Sequence, residues 1–170
     1  GKSTAQVLKA IKIGIQEPGS IIWLCSETFD TSRGTQQRVF SELCPPQFVA
    51  HGVYKPQSGY HDKTVVWHNG TEFHFMSYDA GFEVAQGAQK VRFIGLDEEP
   101  LDRQFYEECF MRTADNPRGQ IAFSMTWLHG FTWAYHDLFM SGKPYVEVIQ
   151  GEVGDNDANL PPRTTDALKA

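Results

Sequence analysis

Two carboxylates follow an apolar run in the segment VRFIGLDEEP, residues 91–100. Residues 91–96 have the short, β-branched and apolar pattern of a buried strand. Because unpaired charge at the end of a buried strand is costly, Asp97 and Glu98 are expected to meet a cation. Magnesium on a phosphate chain is one such partner, with the aspartate holding the metal and the glutamate polarising an attacking water. A strand that ends in a solvated acidic turn fits the same residues.

The first four residues, Gly-Lys-Ser-Thr, match the last part of the phosphate-binding pattern G-x-x-x-x-G-K-[ST]. Lys2 would reach the β- and γ-phosphates of a nucleotide, and the Ser3 hydroxyl would ligate magnesium. Gly1, Thr4 and the amides of the first helical turn would present N–H groups to the anion. A capped helix N-terminus explains these residues equally well on their own. Together with the two carboxylates, they predict a magnesium–nucleotide site.

Length and composition limit the classes of protein that the chain could form. Its 170 residues suffice for one sizeable core, and 41% hydrophobic with 13% aromatic residues exclude disorder. Neither an apolar run of membrane-spanning length nor a signal-peptide pattern is present, so no membrane partner is expected. The net charge of −6 means that any surface for nucleic acid must be local or lie outside these residues. The three widely spaced cysteines predict reduced, cytosolic thiols, and the six scattered histidines do not have zinc-finger spacing.

Strand-like and helix-like segments alternate along the chain, which predicts an α/β protein with a mostly parallel sheet. The predicted helices are 5–15, 28–43, 102–113 and 133–140, and the predicted strands are 20–26, 63–68, 71–77, 91–96, 120–126 and 145–150. Asn69-Gly70 predicts a two-residue hairpin turn. Residues 51–62 are predicted to form a loop, residues 151–159 resemble a linker, and a further helix is predicted from Pro161.

The predicted strand over 120–126 ends in a third polar group, Ser124-Met125-Thr126. In the additional-strand class of P-loop ATPases, the strand after the acidic one lies between it and the phosphate-loop strand. Hydroxyl groups at its tip can sense the γ-phosphate and relay whether it is present. Polar residues also occur at strand ends without any such role.

Together these motifs resemble the ATPase domain of the phage terminase large subunit, the motor that pumps viral DNA into a procapsid. Gly-Lys-Ser-Thr resembles the end of its Walker A motif, and FIGLDEEP resembles its Walker B motif with the Glu-Glu-Pro continuation. Segment 123–139 is similar to its coupling motif and the stretch that follows, and segment 152–170 is similar to its linker before the nuclease domain. Segments 26–46 and 73–87 also resemble the family.

The resemblance implies a P-loop NTPase of the additional-strand, RecA-like class, with a mostly parallel central sheet flanked by helices. It implies an ATPase domain over residues 1–150, truncated at its N-terminus inside the phosphate loop. Residues 151–170 would form a linker and the start of a helix leading towards a nuclease domain. The implied cofactors are ATP and Mg²⁺. The implied partners are double-stranded DNA, the portal protein and procapsid, the small terminase subunit and further copies in a ring, in the cytoplasm of the host bacterium.

The family's motifs also imply roles for individual residues. Ser3 and Asp97 would position the metal, Lys2 would neutralise the phosphates, Glu98 would orient or deprotonate water, and Thr126 would report loss of the γ-phosphate. The implied nucleotide-binding set is Gly1, Lys2, Ser3, Thr4 and Ser124. Strand alternation would let only one of Glu98 and Glu99 face the nucleotide, and Glu98 is assigned because it directly follows the metal-binding aspartate.

The sequence departs from the family pattern at two positions. Trp127 follows Thr126, where the coupling motif usually has proline. Gln86 stands where some relatives have an arginine that acts on a neighbouring subunit's ATP. Either Arg33, Arg38 or Arg92 would take the place of this arginine, or the arginine would lie in a segment before Gly1. Arg92 is the poorest of the three candidates because it lies inside a predicted strand.

Two other functions fit some of the same motifs. A RecA-like helicase or recombinase ATPase shares Walker A, Walker B and a sensor strand, although the segments 123–139 and 152–170 favour a terminase. A non-hydrolytic structural or DNA-binding module with a degenerate nucleotide site is the second alternative. Lys2, Asp97 and Glu98, all present, argue against it.

Overall fold

The computed structural model describes residues 1–86, 90–126 and 132–151. The chain divides into two compact units, Gly1–Leu128 and His129–Ala170. In the second unit, the described residues include a short helix that contains a π-helical segment, Tyr135–Phe139, which agrees with the helix predicted over 133–140. The predicted linker and final helix over 152–170 lie outside the described residues. The predicted domain boundary near residue 150 therefore stays a prediction.

The first unit is built on a six-stranded sheet with the order β2-β5-β6-β1-β7-β8. Its strands are β1 (Ile21–Ser26), β2 (Val49–His51), β5 (Thr64–Trp67), β6 (Glu72–Ser77), β7 (Phe93–Asp97) and β8 (Gln120–Ser124). The four strands β6, β1, β7 and β8 are parallel, whereas β2 and β5 pair in antiparallel fashion. The predicted mostly parallel α/β sheet is confirmed.

Helices cover the two faces of this sheet. Helix α1 (Lys2–Gln16) buries Val7, Ala10 and Ile11 in one hydrophobic cluster with inward-facing residues of β1, β6 and β7. Helix α4 (Arg103–Ala114) buries Phe105 and Cys109 against the opposite faces of β1 and β7. Because both faces are covered, the central strands are apolar without strict alternation, as buried parallel strands usually are.

The helix predicted over 28–43 is present in three consecutive segments. They are α2 (Phe29–Ser32), a π-helical segment (Arg33–Gln37) and α3 (Arg38–Leu43). The Thr28 hydroxyl accepts a hydrogen bond from the Thr31 amide at 3.0 Å and so caps the run. The wider π turn accompanies the burial of two polar side chains, Gln36 and Gln37.

The predicted hairpin between β5 and β6 is confirmed, but its loop is one residue longer than predicted. The Trp67 amide donates to the Thr71 carbonyl and the Gly70 amide donates to the Trp67 carbonyl, each at 2.9 Å. Three residues, His68 to Gly70, therefore form the loop, and Gly70 has a φ of +82°. This is the geometry of a type I turn followed by a left-handed residue, which glycine adopts at low cost.

Two other elements differ from the predictions. Residues 51–62, predicted as a loop, contain the end of β2 and a small hairpin of β3 (Tyr54–Lys55) and β4 (Gly59–Tyr60). Such short strands have no period that a sequence pattern can reveal. Residues 145–150, predicted as a strand, pair with no strand in the described part of the chain, and Ile149 is 89% exposed. Alternation alone does not make a strand without a neighbour to pair with.

No helix in the described ranges has both the length and the apolarity that crossing a bilayer requires.

Replacing glycine with alanine should change stability in opposite directions at Gly14, where α1 packs against the hairpin, and at Gly34, which faces open space. A Cβ atom at Gly14 would lie 2.9 Å from ring atoms of both Phe73 and Trp67, whereas one at Gly34 would have open space around it. Gly14→Ala should lower the free energy of unfolding by about 1–3 kcal/mol through overpacking. Gly34→Ala should raise it by about 0.4–1 kcal/mol. Urea unfolding measures both, and a stable Gly14→Ala protein would contradict this packing.

Candidate functional site

The candidate site lies where the N-terminus of α1 meets the carboxyl ends of β7 and β8. Parallel strands place their carboxyl ends at one edge of a sheet, and the register aligns Asp97 of β7 with Ser124 of β8. Gln6 fixes α1 over these strands, because its side-chain amide donates to the carbonyls of Leu96 at 2.8 Å and Ala122 at 3.1 Å. The residues predicted from two distant motifs are thereby brought to one place.

Ser3 and Asp97 contact each other where α1 meets β7. The Ser3 hydroxyl lies 3.0 Å and 2.9 Å from the two carboxylate oxygens of Asp97, to which it donates. Asp97 is only 8% exposed. A hydroxyl and a carboxylate side by side present two oxygen ligands, the type that Mg²⁺ prefers.

The surroundings of Asp97 disfavour its charged form. Burial is the main cause that raises its pKa above the ordinary value, and Glu98 contributes in the same direction. The Ser3 hydrogen bond and the Lys2 charge lower it, but by less than burial raises it. A cation at this point would relieve the unfavourable burial of the carboxylate.

Glu98 turns away from the strand direction and faces Lys2. Its φ is +63°, a left-handed conformation that costs a non-glycine residue roughly 1–2 kcal/mol. Its carboxylate accepts hydrogen bonds from the Lys2 ammonium at 3.2 Å and from the Thr126 amide at 3.0 Å. Strain of this kind persists only where the surrounding structure imposes it, and it is common at functional sites.

The left-handed residue changes the argument for choosing between Glu98 and Glu99. Strand β7 ends at Asp97, so strand alternation does not apply beyond that residue. The contacts of Glu98 with Lys2 and Thr126 place its carboxylate beside the predicted phosphate-binding lysine. The assignment of Glu98 to the attacking water stays a prediction, and it now depends on these contacts and not on strand alternation.

Thr126 joins the lysine and the glutamate. Its hydroxyl accepts a hydrogen bond from the Lys2 ammonium at 2.6 Å and lies 3.2 Å from a carboxylate oxygen of Glu98. Ser124 contributes through its main chain, since its carbonyl accepts the Glu98 amide at 2.8 Å. Lys2, Glu98 and Thr126 therefore form one hydrogen-bonded group at the mouth of the site.

The remaining predicted nucleotide-binding residues lie at the first turn of α1. The Gly1 nitrogen lies 3.5 Å from the Thr4 hydroxyl, and the Ala5 amide donates to the Gly1 carbonyl at 3.2 Å. Thr4 thus contacts Gly1, not the carboxylates. Both residues stay where amides of a helix N-terminus would face an anion.

The sequence analysis missed a buried polar chain beneath the site. The Ser26 hydroxyl donates to the Gln36 side-chain oxygen at 2.8 Å, and the Gln36 amide donates to the Gln6 oxygen at 3.2 Å. Gly95 leaves room for Gln6, because a Cβ atom there would lie 3.3 Å from the Gln6 oxygen. A glutamine on the apolar face of α1 and a glycine inside a buried strand were the available signals.

The candidate arginines have other partners in this chain. Arg92 is buried at the amino end of β7 and makes a two-point ion pair with Glu17, with both N–O distances at 2.8 Å. Its position agrees with its being the poorest candidate. Arg33 pairs with Asp30, and Arg38 lies near Glu42. The expectation that Arg33 or Arg38 acts on a neighbouring subunit stays a prediction.

The donor set fits magnesium held with a phosphate chain better than magnesium held by protein alone. No group of three or more histidine, cysteine, aspartate or glutamate side chains suited to a metal occurs among the described residues. Magnesium at phosphate sites usually takes only one or two protein ligands, with phosphate oxygens and waters completing its shell. Ser3 and Asp97 meet that requirement.

Known structures share this fold. The chain is similar to the large terminase ATPase domain of Thermus phage P74-26, with a TM-score of 0.57, 16% sequence identity, and coverage of 97% of this chain and 81% of that chain. It is also similar to the large terminase of another thermophilic bacteriophage, with a TM-score of 0.68, 12% identity, and coverage of 98% of this chain and 40% of that chain. No protein-family model matches the sequence, and no curated protein matches it significantly.

These similarities define the class of protein at the level of fold. The chain has a mixed α/β fold with a six-stranded, mostly parallel central sheet flanked by helices. More particularly, its fold is that of phage large terminase ATPase domains. The resemblance inferred from the motifs is confirmed to that extent.

The raised pKa of Asp97 predicts a pH-dependent cost to stability. Folding favours its protonated form, so the ionised carboxylate destabilises the protein above the unfolded-state pKa, and the cost is complete above the folded-state pKa. In the presence of a chelator at neutral pH, Asp97→Asn should therefore have a higher Tm than the parent. The difference should vanish below about pH 3, where the aspartate is neutral in the unfolded state too.

Differential scanning fluorimetry across this pH range measures the effect. Glu98→Gln is the matched control, because it removes a half-exposed carboxylate from the adjacent position. A Tm difference for Asp97→Asn that does not change with pH would contradict the assignment of the cost to its charge.

Proposed function

We propose that this chain is an ATPase of the terminase type, which hydrolyses ATP to drive double-stranded DNA into a viral procapsid. One observation carries the proposal: Lys2 and Ser3, at a helix N-terminus, meet Asp97, Glu98 and Thr126 at the carboxyl edge of a parallel sheet. The fold shared with large terminase ATPase domains supports the same function.

Nucleotide binding is assigned to the first turn of α1 and to the end of β7. Lys2 would bind the β- and γ-phosphates, with the amides around Gly1 and Thr4 directed at the same anion. Ser3 and Asp97 would hold Mg²⁺, which supplies charge neutralisation on the phosphate oxygens when bound. The hydrogen bonds between these two side chains already place their oxygens side by side.

Glu98 is proposed to orient and deprotonate the attacking water. Its ion pair with Lys2 is half exposed, with side chains 47% and 48% accessible, and such pairs contribute little to stability. A triphosphate, which carries more negative charge than one carboxylate, would therefore compete readily for Lys2. Of its two partners, Lys2 and Thr126, Glu98 would then keep only Thr126. Its carboxylate would be available to a water molecule.

Thr126 is proposed to transmit the state of the nucleotide. Its hydroxyl contacts Lys2 and its amide contacts Glu98, so both groups that respond to the γ-phosphate share one residue. Loss of the γ-phosphate would change which of these hydrogen bonds form. Ser124, the last residue of β8, would move with Thr126.

The proposal includes the partners of a packaging motor. They are double-stranded DNA, the portal protein and procapsid, the small terminase subunit, and further copies of the chain in a ring, with ATP and Mg²⁺ as cofactors. The expected location is the cytoplasm of an infected or prophage-carrying bacterium. The ATPase domain would cover residues 1–150, and residues 151–170 would lead to a nuclease domain.

Substitutions at Lys2 and Glu98 test the ATPase proposal in the full-length protein. Lys2→Ala should abolish ATP binding and turnover. Glu98→Gln should keep binding of MgATP but lower kcat by about two orders of magnitude or more, the usual scale for a positioned base. Titration calorimetry and phosphate release measure the two properties.

Glu99→Gln is the control for the glutamate, because it changes the neighbouring carboxylate in the same way. Its turnover should equal that of the parent. If Glu99→Gln were inactive and Glu98→Gln active, the base would be one residue further along. DNA packaging into procapsids, measured beside strand unwinding, separates a packaging motor from a helicase.

Removal of one hydroxyl tests the role of Thr126. Thr126→Val keeps the shape and the β-branch but loses the group between Lys2 and Glu98, at a cost to stability of about 1 kcal/mol. Nucleotide binding should stay close to normal, whereas DNA packaged per ATP hydrolysed should fall sharply. Ser124→Ala should have a milder effect.

Thr35→Val is a matched control, because its hydroxyl donates only within the helical run, to the Thr31 carbonyl at 2.8 Å. It should package DNA at the parent's rate. Packaging by Thr126→Val with the parent's rate and ATP consumption would remove Thr126 from the mechanism.

A further inference from the structure

A tyrosine to which the sequence analysis assigns no role contacts the main chain of the carboxylate pair. Tyr78 directly follows β6, and its hydroxyl lies 3.1 Å from the Glu98 carbonyl oxygen and 3.2 Å from the Asp97 carbonyl oxygen. It also lies 3.2 Å from the carbonyl oxygen of Cys25 in β1. The hydroxyl thus lies among three acceptors, one in β1, one at the end of β7 and one directly after β7.

These contacts lie where the pairing between β1 and β7 ends. Strands β1 and β7 pair in register up to Cys25 and Leu96, and Asp97 is the last residue of β7. The carbonyl groups of Asp97 and Glu98 lie just beyond that pair. The phenolic O–H supplies a donor to these carbonyl groups at the place where β7 gives way to the left-handed Glu98.

The tyrosine is itself held firmly in place. Its ring packs edge-on against Phe105 of α4, with centroids 5.0 Å apart and planes at 67°. Burial is the main cause that raises the pKa of Tyr78 well above its ordinary value, and nearby thiols and carboxylates add to it. The hydroxyl therefore keeps its proton and acts as a donor throughout the pH range in which a cytosolic enzyme works.

We propose that Tyr78 is a positioning residue that holds Glu98 in its left-handed conformation and so directs the Glu98 carboxylate towards the nucleotide. This inference rests on the proposed function, in which Glu98 acts on the attacking water. Tyr78 itself touches neither the nucleotide-binding lysine nor the metal-binding side chains through any of the contacts described above.

The main chain of Glu98 is fastened at two points on opposite sides. Its amide donates to the Ser124 carbonyl at 2.8 Å, and its carbonyl lies within hydrogen-bond distance of the Tyr78 hydroxyl. A single anchor leaves rotation about φ and ψ free to relax towards the extended region, which non-glycine residues prefer. Two anchors prevent that relaxation and keep the side chain beside Thr126.

Tyr78→Phe in the full-length protein tests this inference, because it removes the hydroxyl and keeps the ring. We expect kcat for ATP to fall by about five- to tenfold, the factor that corresponds to one lost hydrogen bond, while KM stays within about twofold. In a Glu98→Gln background the same change should lower kcat no further, since the group being positioned is already absent.

Tyr54→Phe is the matched control. Its hydroxyl also donates to a backbone carbonyl, that of Arg33 at 3.1 Å, but on the small hairpin of β3 and β4. Amide hydrogen exchange gives a readout independent of turnover: Tyr78→Phe should accelerate exchange in peptides containing residues 96–100, whereas Tyr54→Phe should not.

The outcomes separate this inference from the proposed function. If Glu98→Gln is inactive while Tyr78→Phe has the parent's kcat and the parent's exchange at 96–100, the inference is wrong and the proposed function stands. If Glu98→Gln turns over normally, the proposed function is wrong, and exchange at 96–100 alone decides whether Tyr78 holds Glu98. If Tyr78→Phe fails to fold, Phe105→Leu, which loosens the ring but keeps the hydroxyl, takes its place with the same readouts and the same criteria.

Discussion

The hydrogen bonds between Ser3 and Asp97 are the interaction on which the rest of the site depends. They join the N-terminus of α1 to the carboxyl end of β7, two segments far apart in the sequence. Asp97 is buried there with a raised pKa, so the protein keeps a carboxylate where its charged form is disfavoured. A neutral residue at position 97 would make the folded protein more stable. An unfavourable charge held at the end of a central strand is typical of a site organised around a cation.

Beneath this carboxylate, polar groups in the core are paired with one another. Gln6 ties α1 to the carbonyls of β7 and β8, and Gln36 and Ser26 extend the same chain to the π-helical segment and to β1. Buried polar networks of this kind are costly if any member lacks a partner, and they therefore favour one arrangement of the elements. The site is thus part of the core and not an addition to its surface.

Much of the architecture could be predicted because its signals are local. Strand β1 is a continuous apolar run, α1 has helical spacing of apolar residues, and Asn69-Gly70 identified the hairpin. The three-residue loop was missed because its length depends on how β5 and β6 pair. The strand predicted over 145–150 was wrong for a related reason. Residues that alternate between apolar and polar form a strand only where a neighbouring strand pairs with them.

The sequence by itself determined which chemical groups are available: Lys2 and Ser3 in a phosphate-binding pattern, and Asp97 and Glu98 after a buried strand. Residue types and spacings carry that information because helix starts and strand ends are local features. Only the tertiary structure decided that Glu98 has a left-handed backbone and that Thr126 meets Lys2. It alone also placed Tyr78 against the Glu98 main chain. Contacts of this kind join residues far apart in the chain, and they arise from the packing of whole elements, which no local pattern records.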